Sequence, residues 1–186
     1  LDVSERSFHS LTAVLTVLFI EDAGNANDLD LKRNIANVSL ETLKLLINIV
    51  RLAFVSFSLY FINSLPFKRS KSDLHALYEI SYILLIVPLI FPHQQHYAFF
   101  FAFPALTYLV FYFQIQYFSK EIGISKFKKI SIIIFAVLIF FLLNSDTILG
   151  AYRNFYYHFK TLTYGILMLI PVLAFCRPRK MVSLKL

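Results

Sequence analysis

The residues with the clearest chemical potential lie between two long apolar runs, in the stretch Phe91–Tyr97 that reads FPHQQHY. Proline lacks a backbone N–H and has a preset φ, so Pro92 favours the first turn of a helix that continues toward Phe118. Backbone N–H groups in that turn have no intrahelical partner, and the positive end of the helix dipole lies there. His93 and His96 are three residues apart and would share one face. The predicted phosphate-binding set is His93, Gln94, Gln95 and His96.

The same stretch is also typical of a polar turn that joins two membrane spans. In that interpretation histidine is present only because it tolerates the boundary between lipid and water. Spacing alone leaves both interpretations open.

The composition indicates an integral membrane protein. Apolar residues make up 58% of the 186 residues and charged residues only 16%, whereas soluble domains carry fewer apolar and more charged residues. Several apolar runs approach the roughly 20 residues that a helix needs to cross a bilayer. We therefore predict an all-α fold, a polytopic transmembrane helical bundle of about five spans with a short interfacial helix at the N-terminus.

The whole chain, 1–186, is predicted to be a single membrane-embedded helical domain, with an extracytoplasmic interfacial segment 1–39 and a transmembrane bundle 40–186. It is expected to be the C-terminal part of a longer protein, because it begins with Leu1 and has no signal-peptide pattern. The interfacial helix candidate is Ser7–Ile20, and a polar loop with some helical character near Leu29–Ile35 follows. The predicted spans are Leu40–Leu65, capped by Ser39, then His75–Phe91, Tyr97–Phe118, Ile130–Leu149 and Thr161–Cys176.

The distribution of basic residues predicts an orientation. The segments 66–73, 119–129 and 177–186 hold three, four and four Lys or Arg residues, which is eleven of the eighteen in the chain. Cytoplasmic loops carry such an excess, so all three segments and the C-terminus are expected in the cytoplasm. The N-terminal segment, the His93–His96 turn and the hydrophilic, aromatic stretch Gly150–Lys160 would then share the extracytoplasmic side. No nucleic-acid partner is expected, since the net charge of +7 lies mainly in short loops.

Arg51 lies roughly two helical turns inside the first predicted span. Charged residues within spans usually face a bundle interior or a wet cavity, so Arg51 is expected to pair there with an acidic group or a bound phosphate. The alternative is that its side chain reaches back to Glu41 or to a lipid headgroup.

Several familiar chemistries are not indicated. The chain has only four glycines, and it contains no glycine-rich phosphate loop, no G-x-S-x-G turn and no H-E-x-x-H helix. No metal site is expected, because His93 and His96 lack a nearby carboxylate. One cysteine, Cys176, excludes an intrachain disulfide. No cofactor is predicted.

The chain has a span that ends near a proline, then a histidine-containing turn, then an aromatic-rich span. This pattern resembles the GT-C glycosyltransferases of family 87, which are related to bacterial polyprenyl-phosphate mannosyltransferases. That group shows a Ser-Pro-x-x-Trp-x-His-His-like signature. Pro92 matches its proline and His96 one of its histidines, whereas Phe91 replaces the serine and the chain has no Trp. The tetrapeptide Glu5-Arg6-Ser7-Phe8 resembles the family's Asn-Gln-Ser-Leu element, with only Ser7 identical.

The resemblance implies transfer of a sugar, a mannose-like hexose, from a polyprenyl-phosphate donor to a glycan or glycolipid acceptor. It implies a bacterial inner membrane protein in contact with membrane lipids, with the His93–His96 turn extracytoplasmic. The catalytic residue stays unknown, because the family's general base would lie upstream of Leu1. Possible substrate-binding residues are Arg6, Ser7, His9 and Arg51. The competing hypothesis is a non-catalytic membrane transport or assembly subunit, in which Arg51, Glu79 and Asp146 would mark a path through the bilayer.

Overall fold

Helices make up the regular structure of the chain in the part that the computed structural model describes, which comprises residues 9–21, 23, 29, 31–62, 72–91, 96–118 and 126–178. No strand occurs within these ranges. In chain order the helices are α1 (Leu11–Phe19), α2 (Leu40–Phe61), α3 (Asp73–Ile90), the 3₁₀ helix η1 (His96–Ala102), α4 (Phe103–Phe118), α5 (Lys126–Leu149), the 3₁₀ helix η2 (Gly150–Tyr152), α6 (Arg153–His158) and α7 (Thr161–Phe175).

Serine side chains start the first three α-helices. Ser10, Ser39 and Ser72 each precede a helix, and each hydroxyl accepts a hydrogen bond from the backbone N–H three residues later. The Ser39 hydroxyl lies 3.2 Å from the Thr42 nitrogen. Such a cap satisfies one of the N–H groups that a helix start leaves without an intrahelical partner. The predicted cap at Ser39 is confirmed.

Two helices, α2 and α3, are long and apolar enough to cross a membrane. A third span could be formed by two helical segments that meet at an angle of 74°. They are Ile133–Asn144, within α5, and Thr147–His158, which runs from the end of α5 through η2 and α6. The apolar helices Ala98–Gln114 and Thr161–Phe175 are shorter. The all-α class is therefore as predicted for the described residues, and two or three helices there could cross a membrane by length and composition. The bundle of about five spans stays a prediction.

The outer helices α2 and α5 expose most of their apolar side chains. α2 buries only Leu43, Ile47 and Phe61, and Ile139 is the buried apolar residue of α5 among its described side chains. Exposed apolar surface of this extent is costly in water. A bilayer removes that cost, because its hydrocarbon is as apolar as the exposed side chains.

α3 is the central helix of the bundle. Its side chains Tyr78, Tyr82, Leu85 and Leu89 are fully buried. The Tyr82 ring stacks on Phe61 at a centroid distance of 3.9 Å, and its hydroxyl donates to the Phe54 carbonyl of α2 at 2.7 Å. Tyr82 therefore brings a hydrogen bond as well as apolar area to the α2–α3 contact.

The C-terminal end of α7 lies at the same end of the bundle as the C-terminal end of α2. The Tyr78 ring, near the start of α3, lies 5.4 Å from Phe61 at the end of α2. Arg177, just after α7, lies over the Tyr60 ring at 5.2 Å. The end of α2, the start of α3 and the end of α7 therefore lie together, and the opposite end of the bundle holds the end of α3 and the start of α7.

α5 and α7 approach closely at Gly165. A Cβ atom added to Gly165 would lie 3.0 Å from Leu143 Cδ2 and 3.1 Å from Leu142 Cβ. Small residues let the backbones of membrane helices come this close. Gly165 is thus the position where α7 fits against α5.

The segment 31–38 corrects one sequence-based expectation. Helical character was expected near Leu29–Ile35, but the described residues of that range are not helical. The Ile35 N–H donates to the Leu18 carbonyl at 2.9 Å, and the Val38 N–H donates to the Phe19 carbonyl at 3.0 Å. Carbonyls in the last turn of a helix lack intrahelical partners, so the segment lies against the end of α1 and satisfies two of them.

The stretch between α5 and α7 also differs from the expectation. The hydrophilic, aromatic stretch Gly150–Lys160 was expected to be a loop, and it forms η2 and α6. Its aromatic side chains Tyr156 and Tyr157 pack inward around His9. Phe99 of η1 also contacts His9, so side chains from three parts of the chain meet at this end of the bundle.

Candidate functional site at the junction of α6 and α7

The junction between α6 and α7 has an unusual backbone. Lys160 adopts a left-handed conformation with φ 53° and ψ 38° immediately before α7. It is the non-glycine residue with positive φ in the described part of the chain. The conformation costs an L-residue with a side chain about 1–2 kcal/mol, and Gly or Asn adopts it more readily. The chain has a basic residue there instead.

Three basic side chains meet at this junction, and we name Arg33, His158 and Lys160 the basic cluster. Arg33 Nη1 donates to the His158 carbonyl at 2.7 Å, and its Nη2 donates to the Ala23 carbonyl. His158 Nε2 lies 2.9 Å from the Leu31 carbonyl. Hydrogen bonds therefore hold the polar segment before α2, which contains Leu31 and Arg33, against the end of α6.

The basic cluster lies in surroundings that disfavour positive charge. Lys160 is 2% exposed. Burial, together with the smaller effect of the positive charge of Arg33, lowers the pKa of its ammonium group to about 8. Burial also lowers the pKa of Arg33. A negatively charged group brought to this position would favour the charged forms and offset both effects.

One nitrogen of His158 has no hydrogen-bond partner among the residues that the structure describes. The side chain is 1% exposed, and a carbonyl can only accept, so Nε2 carries the hydrogen that it donates to Leu31. Nδ1 is buried and lacks a partner. In neutral imidazole this atom is an acceptor, and in imidazolium it becomes a second donor. An anion would therefore find an additional N–H donor once His158 is protonated.

His9 lies beside the basic cluster in a group of aromatic rings. Its ring centroid is 5.8 Å from Tyr156, 5.6 Å from Tyr157 and 6.3 Å from Phe99. The Thr163 hydroxyl of α7 donates to the His9 carbonyl. His9 is fully buried, so its imidazole joins the start of the described chain to η1, α6 and α7.

η1 brings the backbone of His96, one of the predicted phosphate-binding residues, to the same end of the bundle. η1 begins at His96, and its Phe99 contacts His9. Residues three apart lie on the same side of a 3₁₀ helix. The backbone of His96 is therefore one turn before Phe99, on the side of η1 that contacts His9. The end of the bundle that holds His9 and the basic cluster is therefore also the end at which η1 begins.

The other predicted site residues are only partly covered by the structure. His93, Gln94, Gln95, Arg6 and Ser7 lie outside the described residues. The backbone of His96 is described as the first residue of η1, and its side chain is not. The predicted roles of these residues stay predictions, as does the substrate-binding role of the buried His9.

Arg51 faces the bundle, as predicted. Its Nη2 donates to the Thr12 hydroxyl of α1 at 2.7 Å, so its partner within the described ranges is a hydroxyl and not a carboxylate. Its Nε is buried without a hydrogen-bond partner there. Glu79 of the transport hypothesis is buried on α3, and the side chain of Asp146 lies outside the described ones.

Sequence reasoning missed two members of the basic cluster. Arg33 lies 125 residues from His158, whose carbonyl it binds, and no local pattern connects the two. Lys160 precedes the apolar run of α7, where a basic residue is ordinary at a membrane boundary. Its burial and positive φ follow from tertiary packing, which one sequence does not reveal.

A metal centre is not indicated in the described part of the chain, since no three His, Cys, Asp or Glu residues there are placed to hold an ion. Comparisons with protein-family models, with curated proteins and with solved structures find no match for this chain.

Proposed function

We propose that the protein is a membrane-embedded glycosyltransferase of the GT-C type, which transfers a mannose-like hexose from a polyprenyl-phosphate donor to a glycan or glycolipid acceptor. The observation that carries the proposal is the convergence of His9, the start of η1 and the basic cluster at one end of the bundle. A lipid-linked phosphate needs cations and N–H donors at the depth of the membrane boundary. This end supplies basic groups beside apolar helices.

The proposal includes a topology of about five spans in a bacterial inner membrane. α4 and α7 are short for a full crossing, and flanking aromatic residues would extend them to the boundary. The end with the basic cluster would be extracytoplasmic, and the end of α7 cytoplasmic. The alternation of basic segments along the sequence supports this orientation.

In the proposed reaction a general base, which stays unassigned, takes the proton of an acceptor hydroxyl. The hydroxyl oxygen attacks the anomeric carbon, and the bond between that carbon and the donor phosphate oxygen breaks. Negative charge develops on the departing phosphate. His93 and His96 would stabilise that charge through N–H donors at the start of the helix. Proximity of the basic cluster raises the positive potential at this end and favours the same charge.

The test is sugar transfer from a purified polyprenyl-phosphate donor by the full-length protein. The double variant His93→Ala/His96→Ala should lower transfer about ten- to a thousandfold, the range for loss of a charge-stabilising donor. Its thermal stability should change little. His75→Ala, at the opposite end of the bundle, is the matched control. Normal transfer by the double variant would reject the proposed donor site.

The exposed face of α2 favours a second candidate, a non-catalytic assembly subunit. Leu45, Asn48, Leu52, Val55 and Leu59 recur at alternating spacings of three and four residues, and all five are exposed. This is the spacing of a helix–helix seam, and an amide within such a seam binds its counterpart across a membrane interface. A second copy of the chain would present the identical seam.

Disulfide cross-linking distinguishes the assembly hypothesis. Leu52→Cys, whose parent side chain is 66% exposed, should cross-link two copies in membranes, and Asn48→Leu should reduce the yield. Ala53→Cys, exposed but beside the seam, is the control. Equal cross-linking by the two cysteine variants would remove the support for a dimer through α2.

A further inference from the structure

We propose that Arg51 is the docking point for a membrane-spanning helix of another protein that carries an Asp or Glu carboxylate at mid-bilayer depth. The surface is the flank of α2 beside α1, and it is separate from the predicted donor site at His93–His96. The inference goes beyond glycosyl transfer, because it holds whether or not a sugar moves.

The depth of Arg51 limits what can neutralise its charge. It is the twelfth of the 22 residues of α2, so at 1.5 Å per residue it lies about 15 Å from either end of the helix. A cation this deep in a span is costly in hydrocarbon. Long basic side chains reach the lipid headgroups from positions near helix ends, whereas Arg51 is far from both ends. A compensating negative charge must therefore lie within the bilayer.

The contacts of Arg51 leave its charge uncompensated in the described part of the chain. Its Nη2 donates to the Thr12 hydroxyl at 2.7 Å, and a hydroxyl is a neutral acceptor. Its Nε is buried and has no hydrogen-bond partner among the described residues. A guanidinium group presents five N–H donors in a planar fork, and a carboxylate accepts two of them side by side. An incoming carboxylate would therefore supply both the missing charge and a missing acceptor.

The side of α2 next to Arg51 is accessible from the bilayer. Asn48 and Val55, three residues before and four after Arg51, are its neighbours on this side of the helix, and both are exposed. Arg51 itself is half-buried, so α1 covers only part of its side chain. Glu41 lies ten residues earlier, about 15 Å along the axis, which is too far to neutralise Arg51. An approaching helix can therefore reach the guanidinium group, and Asn48 adds an amide to the contact.

Charge and depth identify the occupant of this surface. A lipid headgroup lies at the membrane boundary and does not match the depth of Arg51. A second copy of the chain in the same orientation would bring its own Arg51 to this depth, where two cations repel each other. A carboxylate in a span of another protein has the opposite charge at the matching depth, and charged residues within membranes pair in this way. The occupant is therefore an acidic membrane helix.

A synthetic membrane helix tests the assignment. The full chain, with a dye at Tyr152→Cys, a position that is 67% exposed, is reconstituted into phosphatidylcholine vesicles with a dye-labelled Leu/Ala helix of about 20 residues. This helix has one Asp at its centre. Two matched helices have Asn at the centre, or Asp about two helical turns nearer one end. Energy transfer between the dyes measures association. We expect the central-Asp helix to bind and the other two to bind at least about tenfold more weakly.

Variants of the chain test the contact from the other side. Arg51→Gln should lose the preference for Asp over Asn, and Arg51→Lys should keep it, because the ammonium group retains the charge. Lys44→Gln changes an exposed cation of α2 that lies about two turns nearer the helix start, and it should bind as the parent does. The thermal midpoint of each variant shows whether it folds, and the comparison of the three helices with the parent chain needs no variant.

A preference of the parent chain for the central-Asp helix that is lost in Arg51→Gln supports the inference. Equal binding of the Asp and Asn helices overturns it, as does an equal loss of binding in Lys44→Gln. Loss of Asp-helix binding when the vesicles contain phosphatidylglycerol would assign Arg51 to an anionic headgroup and would also overturn it. Helix binding without sugar transfer would reject the proposed enzyme and leave this contact in place, and sugar transfer without helix binding would do the reverse.

Discussion

At the scale of single residues, Lys160 makes folding depend on pH. Its pKa is lowered from 10.5 to about 8 in the folded protein. Below pH 8 both the folded and the unfolded chain carry the proton, and the folded state bears the full cost of the buried charge. Between pH 8 and 10.5 only the unfolded chain stays protonated, so the free energy of unfolding rises with pH. The total rise is at most about 3 kcal/mol.

Lys160→Met should abolish that rise and stabilise the fold at pH 7, in the absence of phosphate ligands, because it removes the buried cation. Thermal midpoints in neutral detergent from pH 7 to 10.5 measure the effect. Lys32→Met, an exposed change, should follow the parent curve. The thermal midpoint of the parent should rise relative to that of Lys160→Met between pH 7 and 10.5. No such rise would contradict the burial of the ammonium group.

Arg51 gives a second prediction at this scale. Thr12→Val keeps the shape of the side chain and removes the hydroxyl that accepts from Arg51 at 2.7 Å. A lost hydrogen bond to a charged group costs about 1.5–3 kcal/mol, so the thermal midpoint should fall. Thr107→Val, exposed on α4, should have little effect, and a similar fall in both variants would count against a stabilising Arg51–Thr12 contact.

Single residues were predictable where the controlling interaction is local. Ser39 was recognised as a cap because its hydroxyl binds an N–H only three residues away. Arg51 was expected to face the bundle because a charge within a span avoids lipid. Arg33 and Lys160 were not recognised, because their positions depend on the packing of a polar segment on α6.

At the scale of helices, Gly165 sets the spacing of α5 and α7. Gly165→Leu would place a branched side chain where Leu142 Cβ lies 3.1 Å from the position of a single Cβ. Overpacking of this kind costs about 1–3 kcal/mol, so the midpoint of thermal unfolding should fall. Ala53→Leu adds comparable volume on the exposed face of α2 and serves as the control. An equal midpoint for both variants would mean that the two helices can separate at little cost.

The sequence predicted the positions of the helices better than it predicted where a helix changes from 3₁₀ to α geometry. The predicted spans Leu40–Leu65 and Thr161–Cys176 correspond to α2 and α7 within a few residues, because apolar runs between polar stretches mark spans directly. The same apolar signal did not distinguish the 3₁₀ turns of η1 from the α-helix that follows. Backbone hydrogen bonds, and not side-chain polarity, separate the two helix types.

At the scale of the whole molecule, the basic segments predict which end faces the cytoplasm. The parent cysteine, Cys176, is buried, so a variant with an added cysteine can be labelled selectively. Tyr152→Cys, at a position that is 67% exposed, should react with a membrane-impermeant maleimide in intact cells. Ser70→Cys should react only after the membrane is opened. Labelling of Ser70→Cys from outside would reverse the orientation.

The seven residues of η1 span a greater length as a 3₁₀ helix than they would as an α-helix. A 3₁₀ helix rises about 2.0 Å per residue and an α-helix 1.5 Å, and 3₁₀ stretches of more than four residues are uncommon. Rewinding His96–Ala102 into α-helix would shorten it by about 3.5 Å and turn its leading end around the axis. The backbone of His96 would thus be drawn toward Phe103, and α4 would become the longer helix of the predicted span Tyr97–Phe118.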